Sequence, residues 1–386
     1  MEEIVVSAPG KIILHGEHAV VYGKIALAAA LNLRSYLKIK QKNDGQVTVN
    51  LPNIGINKTW KLSDLQQKIS LPLCDPLKPF TVTDDQLSQL KQLGGINPDS
   101  NSTTDLAVIA FLYLYMCITA CEGELCSVEV TVSSNLPVSA GLGSSAGYSV
   151  CLAASLLQIG GLIPPSNSLG KWSEQHLKLI NDWAFQGEKI IHGNPSGIDN
   201  SISTYGGAIK FQGGKITPVE KMPKLRILLV NTKVPRSTKI LVAGVRDKYN
   251  KYREVMEPIL NSTECITVQC ESVLSDIANN PTPESYNTLQ DLIDINQHLL
   301  QAMGVSHPAL EKIIRLTSQY NLHSKLTGAG GGGCSFTLIP PGTAEETIVA
   351  IKIELEKLGY DCWETSVGAT GVCNEKRDAQ LPTYLS

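Results

Sequence analysis

Several things are scarce in this sequence, and each scarcity excludes a class of protein. There is no basic surplus: the 386 residues carry a net charge of -3, so nucleic acid is not an expected partner. Only 18% of residues are charged and 5% aromatic, while 42% are hydrophobic, the balance of a globular protein rather than a disordered one. The most apolar segment, 106–121, is shorter than the roughly 20 residues a bilayer span needs. It reads as a buried core helix, and no membrane partner is expected. Ten cysteines are present but none stands in a Cys-x-x-Cys pair, which leaves zinc and thioredoxin-type sites without support. With no secretory pattern at the N-terminus, the thiols are expected to be reduced and the protein cytoplasmic. No repeat of fixed period occurs. The length suits two domains, 1–224 and 225–386, divided in the stretch 213–224 where composition shifts.

What stands out is Pro137-Val138-Ser139-Ala140-Gly141-Leu142-Gly143-Ser144-Ser145-Ala146-Gly147. Before it, Val128, Val130 and Val132 alternate with polar residues as in a half-buried strand; after it, 148–159 is an uncharged run suited to a buried helix. A glycine-rich turn therefore links a strand to a helix start. Gly141 and Gly143 let the backbone approach a ligand, and the first N–H groups of the helix favour an anion. With the hydroxyls of Ser144 and Ser145 at its mouth, this reads as a phosphate cradle. Three other readings use the same letters. Gly141-x-Gly143-x-x-Ala146 fits a dinucleotide fingerprint, but no acidic residue follows within 148–173. Gly143-x-Ser145-x-Gly147 fits a nucleophile elbow, which would make Ser145 a hydrolase nucleophile. A serine cap with small residues for close packing is the third.

In chain order, 4–7 forms a strand and Ala8-Pro9-Gly10 turns out of it, leading through Lys11 to His15, Glu17 and His18. Strands at 33–40 and 46–51 are joined at Asn43-Asp44-Gly45 as a hairpin, and 54–60 extends them. The polar stretch 61–102 reads as a helical insertion over the core. A helix capped by Thr103 or Thr104 ends near 121, and 126–133 is the strand into the cradle. A second helix, 173–192, buries Leu177, Ile180, Ala184 and Ile191 on one face and carries Glu188 in its last turns. Residues 198–204 alternate as a strand, with Asp199 at its start. Glu188 and Asp199 together suit a metal ligand and a base; singly, they suit a solvated helix residue and a turn former. The second half is α+β: strand 225–230, helices 238–252, 265–278, 283–303 and 308–320, a glycine-rich loop, strand 335–339, helix 344–358 and strand 360–365.

Three separated motifs then fit one pattern. Ser7-Ala8-Pro9-Gly10-Lys11, residues 137–146 and Lys325-Leu326-Thr327-Gly328-Ala329-Gly330-Gly331-Gly332-Gly333-Cys334 resemble, in order and spacing, the three motifs of the GHMP small-molecule kinases. The resemblance covers nearly the whole chain, least clearly 61–102 and the tail after Gly371. At 13–21, 192–200 and 231–236 it is similar to the members that act on mevalonate. The P-loop signature and the kinase His-Arg-Asp and Asp-Phe-Gly motifs are absent.

The resemblance implies a two-lobed α+β fold, with a ribosomal-protein-S5-like N-terminal lobe and a ferredoxin-like C-terminal lobe. It implies transfer of the γ-phosphoryl of ATP to the 5-hydroxyl of (R)-mevalonate. Asp199 would be the catalytic base and Lys11 the charge stabiliser beside it. Ser145 and Glu188 would hold Mg²⁺. ATP would meet Lys11, Asn53, Trp60, Ser134, Asn135, Gly141, Leu142, Gly143, Ser144, Ser145 and Ala146. Glu17, His18, Thr238, Gly328 and Ala329 would lie at the substrate. Members are commonly homodimers inhibited by prenyl diphosphates at the ATP site. Gly147 departs from the family, which more often has Ala there, and implies a slightly looser turn. Lys11-Ile12-x5-His18-Ala19 also fits a type-2 peroxisomal address, although the catalytic segment already accounts for those letters.

Overall fold

The computed structural model describes residues 3–68, 75–120, 125–137, 140–167, 170–376, 382, 383 and 385. Cys74, Cys121, Val138 and Ser139 lie outside the described residues, as does part of the 61–102 insertion. The N-terminal lobe contains β1 (Glu3–His15), β2 (Ala26–Gln41), β3 (Gln46–Leu51), β4 (Ile56–Lys61), α1 (Leu62–Lys68), α2 (Asp84–Leu93), α3 (Thr103–Thr119), β5 (Val128–Ser134), α4 (Ser144–Ile159), α5 (Glu174–His192), α6 (Ile198–Tyr205), β6 (Ala208–Gln212) and β7 (Lys215–Pro218). The C-terminal lobe contains β8 (Leu225–Asn231), α7 (Thr238–Lys251), α8 (Arg253–Asn279), α9 (Pro283–Met303), α10 (Pro308–Ser318), β9 (Ser324–Leu326), β10 (Cys334–Leu338), α11 (Glu345–Lys357) and β11 (Asp361–Val367). A short β12 (Cys373–Asn374) then returns to pair with β1.

One sheet runs through both lobes in the order β4-β3-β5-β2-β11-β8-β10-β9. The lobes meet where Leu31 of β2 pairs with Val367 of β11. In the second lobe the order β11-β8-β10-β9 takes its strands fourth, first, third and second along the chain, with helices in both crossovers. That is the ferredoxin-like arrangement. The first lobe buries α3 and α4 between the sheet and its outer helices. Every side chain from Ala107 to Thr119 is buried, as a helix apolar on all sides requires. No helix of the described residues is long and apolar enough to cross a membrane.

Five local expectations are corrected. β1 does not turn at Ala8-Pro9-Gly10; it continues to His15 with a register shift between Pro9 and Gly10, where a missing N–H is tolerated. β2 and β3 do not form a hairpin, because β5 lies between them, antiparallel to β2 and parallel to β3. Ser102, not Thr103 or Thr104, caps α3, its hydroxyl accepting from Asp105 N–H. Residues 198–204 are helix rather than strand: Ile198 and Ile202, four apart, face the same core. α8 begins at Arg253, well before 265, because Met256 and Leu260 also bury one turn apart despite Pro258.

Candidate active site

The glycine-rich loop is seated on β1. Lys11 N–H donates to the Leu142 carbonyl at 2.8 Å. Gly143, at φ +77°, is the N-cap of α4, and no side chain caps that helix. A Cβ at 143 would lie 3.1 Å from Lys11 Cγ and 3.8 Å from an Asp199 carboxylate oxygen, so glycine opens the space between the helix start and these two side chains. Ser144 and Ser145 open α4 at that space, while Leu142 and Ala146 are buried beneath it. The first-turn N–H groups are thus offered to an anion.

Asp199 sits in the first turn of α6, and its carboxylate is 3.2 Å from Lys11 Nζ. The two side chains are 34% and 13% exposed, so the pair borders the cleft rather than the core. Glu188 comes from α5, which packs closely on α4 because residue 187 is glycine; a Cβ there would be 2.9 Å from Ser149 Oγ. Ser145 and Ser149 hydroxyls reach the Glu188 carboxylate only at 3.4 and 3.5 Å. Burial, helped by the negative charge of Asp199, pushes this carboxyl up to about 8. A buried carboxylate beside a hydroxyl, with no full cation on it, is a donor set that suits a hard divalent ion. Among the described residues no cluster of three or more His, Cys, Asp or Glu is placed to hold a metal.

Beside the helix start is a cavity of about 330 Å³ whose lining includes Asn53, Ser134, Ser144, Ser145, Tyr148 and Ile191. Asn53 closes one end, donating to Ser134 O at 3.2 Å and accepting from Ser134 N–H at 2.9 Å. Asn135 follows with its N–H on the Arg34 carbonyl and its side chain exposed. Trp60 is not part of this lining. Its indole N–H donates to Leu93 O at 3.1 Å and its ring stacks on Phe111, so edge-strand packing has claimed it.

The second glycine-rich loop closes the opposite side. Thr327 Oγ1 accepts from Ile13 N–H at 2.9 Å and donates back to Ile13 O at 3.0 Å. His18 is held at φ +61°; burial holds its imidazole below the ordinary range, and its Nε2–H donates to Ala329 O at 2.8 Å. Arg236 spans the two glycine loops, donating to Ala140 O at 2.7 Å and Thr327 O at 3.4 Å, with Gly328 packed beside it. Thr238 opens α7 with its side chain exposed. Glu17 differs from its expected place: its side chain is 1% exposed and committed to Lys325 and Asn296, not open to the cleft.

With this geometry the chain can be set beside known proteins. Residues 107–207 match the GHMP kinases N terminal domain and 275–357 the GHMP kinases C terminal domain. The chain is 50% identical to the mevalonate kinase of Bos taurus across 96% of its own length and 94% of that protein. It is 37% identical to the mevalonate kinase of Arabidopsis thaliana across 96% and 98%. The chain belongs to the mevalonate kinase family. The crystal structure of L. major mevalonate kinase in complex with R-mevalonate shares the fold, with a TM-score of 0.67 at 21% identity across 96% of this chain and 97% of that one.

The structure brings Lys11, Asp199, Glu188 and the 141–146 loop together, and joins His18 to Ala329 of the second loop. Four residues were not singled out from the sequence. Arg236 lay inside a quoted stretch, but its bridging role needs both loops in place. Ser149, Lys325 and His192 act through partners on other elements. His192 also disposes of the hydrolase alternative. Its Nε2 is 2.9 Å from Ser145 Oγ and 3.9 Å from Glu188, so hydroxyl and acid share one ring nitrogen. A catalytic triad needs the acid on the other nitrogen. The peroxisomal-type letters are folded away as well: Ile12, His18 and Ala19 are buried.

Proposed function

We propose that this chain transfers the γ-phosphoryl group of ATP to the 5-hydroxyl of (R)-mevalonate, an early step of isoprenoid and sterol synthesis. The carrying observation is the Lys11–Asp199 pair, 3.2 Å apart and half-open, set against the uncapped start of α4. The hydroxyl oxygen bonds to the γ-phosphorus as the bond to the ADP oxygen breaks. Asp199 accepts the hydroxyl proton, and Lys11 neutralises charge on the transferring group. Ser144, Ser145 and the α4 N–H groups hold the phosphates, and the apolar cavity beside Asn53 takes the base. Ser145 and Glu188 would hold Mg²⁺, which neutralises the phosphate oxygens when bound and keeps waters and phosphate ligands of its own.

The same reading extends, by resemblance, to a cytoplasmic homodimer inhibited by prenyl diphosphates at the ATP site. The fold alone does not choose the alcohol. The deciding experiment is coupled ADP release with Mg²⁺-ATP across mevalonate, phosphomevalonate, galactose and homoserine. Turnover on mevalonate alone, abolished in Asp199→Asn, is expected. Turnover on another alcohol instead would keep the site and discard the substrate. ATP binding without turnover on any would make the chain a sensor.

A further inference from the structure

The end of β1 and the 327–333 loop touch through Thr327 and through His18, and a third contact lies beneath both. Lys325 Nζ donates to a Glu17 carboxylate oxygen, and the two side chains are 0% and 1% exposed. Asn296 of α9 donates to the other oxygen at 3.3 Å. The same ammonium donates to Leu326 O at 2.8 Å and stands 5.4 Å from the centre of the Phe336 ring. Two ionisable side chains are thus removed from water, a cost that an apolar pair would not carry. Burial works against both, raising the Glu17 carboxyl and lowering the Lys325 ammonium. Their places along the chain are telling: Glu17 immediately precedes His18, and Lys325 leads through Thr327 to Ala329.

We propose that Glu17 and Lys325 are positioning residues, a buried interlobe strut that sets the register of His18 against the 327–333 loop and so shapes the alcohol side of the site. The inference rests on the kinase reading above and gives Glu17 a role behind the cleft instead of on the substrate. The nucleotide side has its own supports, the Lys11–Leu142 bond and the Asn53–Ser134 clamp, and neither uses this pair. Loss of the strut therefore falls on one substrate only.

The test is steady-state kinetics of Glu17→Gln/Lys325→Met, which leaves no unpaired buried charge. KM for mevalonate is expected to rise about tenfold or more while KM for ATP stays within about twofold. Either single variant should show the same split. Equal rises for both substrates, or none for either, would overturn the proposal. A rise in Glu17→Gln without one in Lys325→Met would make Glu17 a direct ligand and overturn it as well. Asn296→Leu removes one hydrogen bond and no charge; it should give a two- to threefold rise, roughly, in KM for mevalonate alone, and no change there counts against the strut even if the charge variants do not fold. ADP release by the unmodified chain, measured alongside, separates the two readings: no mevalonate-dependent turnover there would remove the kinase assignment itself, and turnover retained in Asp199→Asn would remove only the assignment of the base.

Discussion

Two lysine–carboxylate pairs, built from the same short stretch of β1 and its exit, have opposite surroundings. Lys11–Asp199 spans 3.2 Å with side chains 13% and 34% exposed, while Lys325–Glu17 is at 0% and 1%. In the half-open pair the attraction is screened, and either partner can exchange the other for a phosphate oxygen or a hydroxyl proton. The closed pair has no such freedom, because separating it strands a charge in a low dielectric. On the proposed reading, chemistry falls on the interaction that is weak enough to be exchanged, and alignment on the one that is not.

The comparison breaks most visibly at Asp199. Asp199→Asn is expected to lower kcat about 10³-fold or more, and Lys11→Met about 10²- to 10³-fold, in an ADP-release assay. Neither should cost more than about 1 kcal/mol in urea unfolding, since the pair is partly exposed. Lys325→Met should invert that pattern, losing about 3–5 kcal/mol of stability, with Glu17→Gln/Lys325→Met recovering most of it. Equal stability in the single and double variants would show that the buried charge is relieved in some other way.

Glu188 lies between these extremes, buried like the strut but belonging to the open site. Its carboxyl is pushed from 4.5 to about 8, so within that window the folded protein holds a proton that the unfolded chain releases. Stability without metal or nucleotide should therefore fall as pH rises through the window, by a few kcal/mol at most, roughly. Urea midpoints at its two ends would measure the slope, and Glu188→Gln should flatten it. Mg²⁺ with nucleotide, which needs the ionised form, should restore stability at the alkaline end. An unchanged slope in Glu188→Gln would assign the effect to another group.

Much of this was legible in the sequence where the signal is local. The 137–147 cradle reads from a strand pattern, two glycines and an apolar helix run; α5 follows from its apolar face, and α9 and the strand at 225 fall where the sequence places them. Where the outcome depends on a distant element, local letters mislead. Asn43-Asp44-Gly45 has hairpin chemistry, yet β5, from far along the chain, takes the place beside β2. Residues 198–204 alternate as a strand would, yet Ile198 and Ile202 share one buried face of α6. Trp60 has the flat ring a base would stack on, but Phe111 of α3 lies under it. The Lys325–Glu17 contact joins residues 308 positions apart, and no spacing rule reaches that far. The motif shows that both are present, and only the folded chain shows that they meet.

The smallest expected effect is also the mirror of the largest structural one. Gly147 suggested a looser helix start, but it is buried in α4, and a Cβ there would lie 3.0 Å from Ser35 Oγ and 3.3 Å from Ser35 Cβ. Glycine here lets α4 settle onto β2. Gly147→Ala gains about 1 kcal/mol of helix propensity and must push Ser35 aside by a few tenths of an ångström, so net stability should change by less than about 1 kcal/mol. The displacement has a defined direction, because Ser35 Oγ is 3.0 Å from Ser134 Oγ, on the Asn53–Ser134 clamp beside the cavity proposed for the nucleotide. KM for ATP should rise about twofold while KM for mevalonate stays put, the reverse of the split expected from the buried strut. Steady-state titration of both substrates in the one variant decides it: a shift in the mevalonate constant instead would mean that the two sides of the cleft are not supported separately.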